Sequence, residues 1–286
     1  MIVMTGVIKG KQARRRQGLF VMLALVFVLS GCAGKFPQVL DISGDESERV
    51  EAAFSAMLEK QQLHECLLDA EVDVTFVAGR LLATRSGRLN GYLQIMPPSH
   101  VKFIALNPIG QPLVIMAADG RRFHTVVIPE ARDYEGEVAS KTFRKYSPPG
   151  FDPADVYYWF AGRVAPGPSG IRPLGRDAAG SGYWLSFGYA DDENRHYLRL
   201  EPDEGLVMRH LVQDSRGRNI FDVSYDAYQV AGGNGACSLP AVITVQSAVQ
   251  AGKMEITMDS FLADAVLTAR DFTVESPAGY ERVVVK

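Results

Sequence analysis

The sequence predicts a mainly β fold, one curved antiparallel sheet or open barrel packed against two helices, and not an alternating α/β fold. Three observations predict it. Apolar residues alternate with period two through short segments between Glu71 and Phe261. Pro and Gly signals such as Pro97-Pro98 and Asp119-Gly120 separate those segments, as connections between antiparallel strands do. Helical periodicity is confined to two stretches, near residues 47–69 and 152–162.

Taken in order, the first element is an export signal. Lys9, Lys11, Arg14, Arg15 and Arg16 precede an apolar run of about 11 residues, Leu19 to Leu29, which ends in Ser30-Gly31-Cys32. Positive end, apolar centre and small residues at the cut are the plan of a secretory signal, and the run is short of the ~20 residues of a permanent span. Leu29-Ser30-Gly31-Cys32 fits the bacterial lipobox, which makes Cys32 the expected lipidation site and residues 1–31 the cleaved peptide. Ala33 stands where an inner-membrane retention signal would place Asp, so the expected location is the outer membrane, facing the periplasm. Residues 32–45, with Gly and Pro, read as a lipidated stalk, and 46–286 as a single domain.

Within the domain, Val50, Phe54, Met57 and Leu58 recur at helical spacing. Strands follow at Val72–Phe76, Tyr92–Met96, Val101–Leu106, Leu113–Ala117 and Arg122–Ile128. Asp152 as N-cap and Pro153 at the first helical position start a second helix with Val156, Trp159 and Phe160 on one face. A Gly/Pro-rich loop is expected over 165–182. Strands resume at Tyr183–Tyr189, His196–Leu200, Leu206–Gln213, Ile220–Tyr228, Val242–Gln250 and Lys253–Phe261, and Arg282–Val285 is a candidate edge strand.

Charge and cysteines narrow the function classes. The chain carries 30 Lys+Arg and 33 Asp+Glu; removing the five cations of residues 1–31 leaves 25 against 33, a formal charge of −8. An acidic domain without a basic stripe argues against nucleic acid as a partner. Beyond Cys32 two cysteines remain, Cys66 and Cys237. In an oxidising compartment they are either a disulfide pair or two separate thiols. Closing a loop of that length would contribute about 4–5 kcal/mol in the chain-entropy account.

No catalytic constellation is present: no G-x-S-x-G, no H-E-x-x-H, no Cys pair at zinc spacing and no phosphate loop. Histidines 64, 100, 124, 196 and 210 are scattered without ligand spacing, and Asp191-Asp192-Glu193 reads as a hairpin turn. The expectation is a non-enzyme without metal or cofactor. Apolar strand surface is abundant. It forms either a cavity suited to acyl chains, at about 0.8 kcal/mol per buried methylene, or an ordinary filled core.

Four stretches occur in a telling order: Phe103-Ile-Ala-Leu-Asn-Pro-Ile-Gly110, the Leu113–Ala118 and Arg122–Val127 strand pair, Asp152–Gly162, and Leu239-Pro240 followed by a strand pair ending at Phe261. In that order they resemble the LolB family of outer-membrane lipoprotein receptors. The resemblance implies an open, unclosed antiparallel barrel of about eleven strands covered by helices, with an apolar cavity. It implies a receptor that takes lipoprotein cargo from a LolA-type carrier; the chain itself is expected to be a monomer, held to outer-membrane lipid through Cys32. It also gives Asn107, Pro108, Ile109 and Gly110 the part of a membrane-release loop whose apolar tip, Ile109, projects into solvent. The expected acyl-cavity residues are Phe103, Leu106, Ile115, Phe123, Trp159, Leu185 and Phe187. The competing expectation is a structural or accessory envelope lipoprotein with a filled barrel.

Overall fold

A computed structural model describes residues 36–80, 83–141, 143, 152–190, 192–231, 237–247, 252–261 and 266–286. Cys32 and the expected export signal lie outside the described residues. In chain order the elements are β1 (Val39–Leu40), α1 (Gly44–Leu63), β2 (Leu68–Arg80), β3 (Ala83–Met96), β4 (His100–Leu106), β5 (Pro112–Ala118), β6 (Arg122–Val127) and β7 (Arg132–Glu137). After them come α2 (Val156–Ala161), β8 (Ser169–Asp177), β9 (Tyr183–Gly188), β10 (Arg195–Glu201) and β11 (Leu206–Gln213). The chain ends with β12 (Asn219–Ala231), β13 (Cys237–Ser247), β14 (Gly252–Phe261) and β15 (Glu281–Val285).

All the strands belong to one sheet with the order β1-β8-β9-β10-β11-β12-β13-β14-β2-β3-β4-β5-β6-β7-β15. Every pairing is antiparallel except β15 on β7, which is parallel. The sheet does not close, because β1 and β15 are its two ends. Fifteen strands among the described residues correct the expected eleven, and three of the additions have a physical reason. β7, Arg132-Asp-Tyr-Glu-Gly-Glu137, is too polar to read as a strand. β8 lies in the stretch expected to be a loop: it carries Gly170, Pro173 and Gly175 at two bulges, and it pairs with β9 and with the two-residue β1. β1 comes from the expected stalk. Residues 36–45 are part of the folded unit, with Phe36 against Trp184 and Tyr197 at ring-centroid distances of 5.3 and 4.7 Å.

The first helix begins earlier than its apolar periodicity indicates. Ser43 and Glu46 form a capping box: Ser43 Oγ accepts from the Glu46 amide at 3.2 Å, and the Glu46 carboxylate accepts from the Ser43 amide at 3.1 Å. α1 buries Val50, Phe54 and Met57 at i, i+4 and i+7 spacing, and Phe54 meets Phe187 at 5.9 Å. The second helical stretch starts at Asp152, whose carboxylate accepts from the Ala154 amide at 2.9 Å. Pro153–Asp155 forms a 3-10 turn, α2 follows, and Gly162 ends it in the left-handed region at φ 62°. A Cβ at Gly162 would lie 2.4 Å from the Tyr228 hydroxyl, so both backbone and space call for glycine there.

The register fixes which side chains share the inner face. Leu93 pairs with Phe103, Phe103 with Met116 and Met116 with Thr125. On the other side of β2, Met254 pairs with Phe76 and Ile256 with Val74. Leu185, Leu198 and His210 lie level across β9, β10 and β11. The core sits on this inner face under α1 and α2. On the outer face the segment from 266 crosses β4, where the Lys102 ammonium donates to the Asp271 carbonyl at 2.7 Å and His100 meets Phe272 at 5.3 Å.

Candidate lipid-facing site

The β4–β5 connection is built around the Asn107 side chain. Asn107 Oδ1 accepts from the amides of Ile109 (3.0 Å) and Gln111 (2.9 Å), and the Gly110 amide donates to the Asn107 carbonyl at 2.9 Å. The Asn107 amide donates across the loop to the Gln111 carbonyl at 2.8 Å. Pro108 has no amide hydrogen to satisfy, and Gly110 adopts φ 79° with open space where a Cβ would be. The turn thus satisfies its own donors, which lowers the cost of moving its tip into a medium without water. At that tip Ile109 is 77 % exposed.

The expected cavity residues separate into three groups. Phe103 and Phe123 lie on the inner face, both half-buried; Phe103 is paired with Met116, and Phe123 rests on Phe143 at 5.1 Å. Val74, Phe76 and Met254 are also half-buried on that face. Ile115 pairs with Ile104 and Val126, so it faces the opposite side from Phe103. Leu106, paired with Asn90, stands on that outer side as well. A one-residue difference in register turns a strand side chain over, and that corrects both assignments.

Trp159, Leu185 and Phe187 form the third group. They are on the inner face but in closed packing: Leu185 is fully buried and Phe187 is 3 % exposed. Trp159 stacks on His210 at 4.4 Å and meets Phe221 edge-on at 4.7 Å. The pocket beside them, lined by Asp155, Tyr189, His196 and His210, holds about 10 Å³, room for one water and not for an acyl chain.

Sequence reasoning missed a polar chain inside this packed half. Asp192 Oδ2 lies 2.9 Å from His196 Nε2, and His196 Nδ1 lies 3.0 Å from His210 Nε2. Burial lowers His196 from the usual histidine range against the pull of Asp192; burial and repulsion from His196 hold His210 well below it. Burial pushes Asp192 up, but its bonds from His196 and Asn194 outweigh that and hold it low. Asp155 is raised to about 6, by burial first and then by the charges of Asp152 and Asp192. The two histidines are 14 residues apart and meet because the β10–β11 hairpin sets them diagonally on one face, His196 opposite Val212 and His210 opposite Leu198. Pairing positions about the turn at Pro202–Gly205 would have been the signal. The Asp192 carboxylate also closes its own turn, accepting from the Asn194 amide at 2.8 Å.

Cys66 and Cys237 are joined by a disulfide with Cα atoms 5.6 Å apart. It ties the link between α1 and β2 to the start of β13.

No family model matches the sequence, and no curated protein matches it. Solved structures do. A DUF1329 family protein from Desulfovibrio piger is similar with a TM-score of 0.55 at 10 % identity, covering 79 % of this chain and 97 % of that one. A LolA superfamily protein from Nitrosomonas europaea is similar with a TM-score of 0.51 at 11 % identity, covering 77 % and 97 %. At such identity the likeness speaks to the fold alone. The chain has a LolA/LolB-like fold.

Proposed function

We propose that this chain is an outer-membrane lipoprotein, anchored through Cys32, that holds acyl chains against the open part of its inner face. It accepts lipoproteins from a periplasmic carrier and passes them into the membrane. The observation that carries this reading is Ile109, an exposed apolar side chain on a turn whose own amides are satisfied. Burying such a side chain in lipid contributes about 1.5–3 kcal/mol. The receiving surface is the half-barrel side bearing Phe103, Met116, Phe123, Phe76 and Met254. Transfer needs no covalent step, since differences in affinity for the acyl chains set its direction.

A second reading is favoured by the closed packing of Trp159, Leu185 and Phe187: a filled scaffold that serves an envelope assembly. A transfer assay decides between them. The lipidated protein in membranes is offered a lipoprotein–carrier complex, beside its Ile109→Glu variant. Lipoprotein should reach the membrane, and the variant should slow release about tenfold or more, because a carboxylate replaces the apolar side chain that enters lipid. No movement with a matched carrier and a folded, lipidated protein rejects transfer and leaves the scaffold.

A further inference from the structure

The surroundings of the Cys66–Cys237 disulfide are unequal on its two sides. Cys66 is fully buried, while Cys237 is partly exposed. The Arg163 guanidinium touches Cys66 Sγ through Nη2. Arg163 does not depend on the disulfide for its position. Its Nη1 donates to the carbonyls of Gln61 (3.2 Å) and His64 (2.6 Å) at the end of α1, and its guanidinium lies 5.8 Å from the centre of the Tyr157 ring. Among the described residues no carboxylate forms an ion pair with it, so its charge is left for whatever the sulfur becomes.

We infer that the Cys66–Cys237 disulfide is a directional thiol-exchange site, in which an incoming thiol attacks Cys237 and Cys66 leaves as a thiolate held by Arg163. In thiol–disulfide exchange the accessible sulfur is the one attacked, and the sulfur whose thiolate is better stabilised departs faster. Both preferences point the same way here. The attacking thiolate forms a bond to Cys237 Sγ; the Sγ–Sγ bond breaks; and its electron pair goes to Cys66 Sγ, beside the guanidinium. A second thiol then attacks the mixed disulfide and frees Cys237. Overall, two external thiols are oxidised to a disulfide and the protein gains two thiols, each with its proton. A groove of about 230 Å³ lined by Met57, Lys60, Gln61, Arg163, Tyr228 and Ser238 lies beside the site. Reduction removes the covalent tie between the α1–β2 link and β13, while the Arg163 bonds to the α1 carbonyls persist, so the bond can re-form.

The test uses the full mature protein with reduced glutathione and, separately, dithiothreitol. A short glutathione pulse is quenched with iodoacetamide and the adducts are mapped by peptide mass. Glutathione on Cys237 with alkylated Cys66 is the expected pattern; glutathione on Cys66, or equal labelling, overturns the direction. In Cys237→Ser the Cys66 thiolate is titrated by its ultraviolet absorbance. It should ionise below the ordinary ~8.5, against the opposing effect of burial; ionisation at or above that value overturns the role of Arg163. Dithiothreitol reduction should be about tenfold slower in Arg163→Gln than in Arg163→Lys, and equal rates in folded variants overturn it equally. The mapping and the Cys237→Ser titration do not require the Arg163 variants to fold.

Discussion

Asp155 ends the 3-10 turn ahead of α2 and carries its carboxyl against the pocket that holds His196 and His210. Burial is the first cause of its rise from 3.8 to about 6. A carboxyl raised in the folded state contributes stability that is fully present below its unfolded value and lost as pH rises through about 6. The histidines have the opposite sign. Their folded values are depressed, so their contribution is present above the unfolded value near 6.5 and is lost as pH falls through the folded values. Asp155→Asn should therefore raise urea stability at pH 7.5 by about 1–2 kcal/mol, the full shift being reduced by the solvent that still reaches the carboxyl, and leave it unchanged below the unfolded value of 3.8. An equal effect at both pH values would mean that the carboxyl is not buried as a charge. At this scale little was legible beforehand. The spacing of His196 and His210 carries no ligand signal, and the unusual ionisation of Asp155 arises from what folds over it. Ile109 was legible only through the resemblance of its loop.

At the scale of elements, β15 is held by a buried carboxylate. Asp133 on β7 is 1 % exposed and accepts from Ser276; His124 Nε2 contacts its other oxygen, and Arg282 Nε is 3.8 Å away. Burial alone would raise Asp133, but these partners outweigh it and hold it below the usual carboxylate range. Asp133→Ala removes the acceptor that Ser276 and His124 share and the carboxylate facing the exposed Arg282. The expected cost is about 1–3 kcal/mol, and amide exchange over 266–286 should rise before it rises in β9–β12. Uniform exchange across the chain would show that β15 is not a separate unit of stability. α1 and most strands were legible because one periodicity dominates each: Val50, Phe54 and Met57 for the helix, Val72, Val74 and Phe76 for the strand. Other features were hidden by local chemistry. The Ser43–Glu46 capping box precedes the apolar stripe, bulges at Gly170 and Pro173 break the alternation of β8, and charge masks β7. Ile115 and Leu106 went astray for another reason, since strand alternation does not say which side becomes the inner one.

Across the whole molecule the inner face has two characters. Toward β9–β12, α1 and α2 close it with Phe54, Trp159, Leu185 and Phe187. Toward β2–β6 and β14, Phe76, Phe103, Met116 and Met254 stay half-buried. The two parts should respond differently to substitution. Leu185→Ala should cost about 2–5 kcal/mol in urea unfolding with acyl-probe affinity unchanged. Met116→Glu should abolish fluorescent fatty-acid binding at little cost in stability. Loss of probe binding in the first variant with retention in the second would place any acyl site in the closed half and reject the proposed surface.

The packing of Phe36 on Trp184 and Tyr197 also bounds the length that the proposed tether can have. Four residue steps separate Cys32 from Phe36, and a fully stretched chain covers about 3.3–3.6 Å per residue. With Cys32 as the anchor, the leash is therefore about 14 Å at most. The domain would ride close against the bilayer at a high local concentration, where even the single weak contact of Ile109 is met often. On the proposed function, a carrier would then have to bring its cargo to the membrane surface, because a domain held on so short a leash has no slack with which to reach out for it.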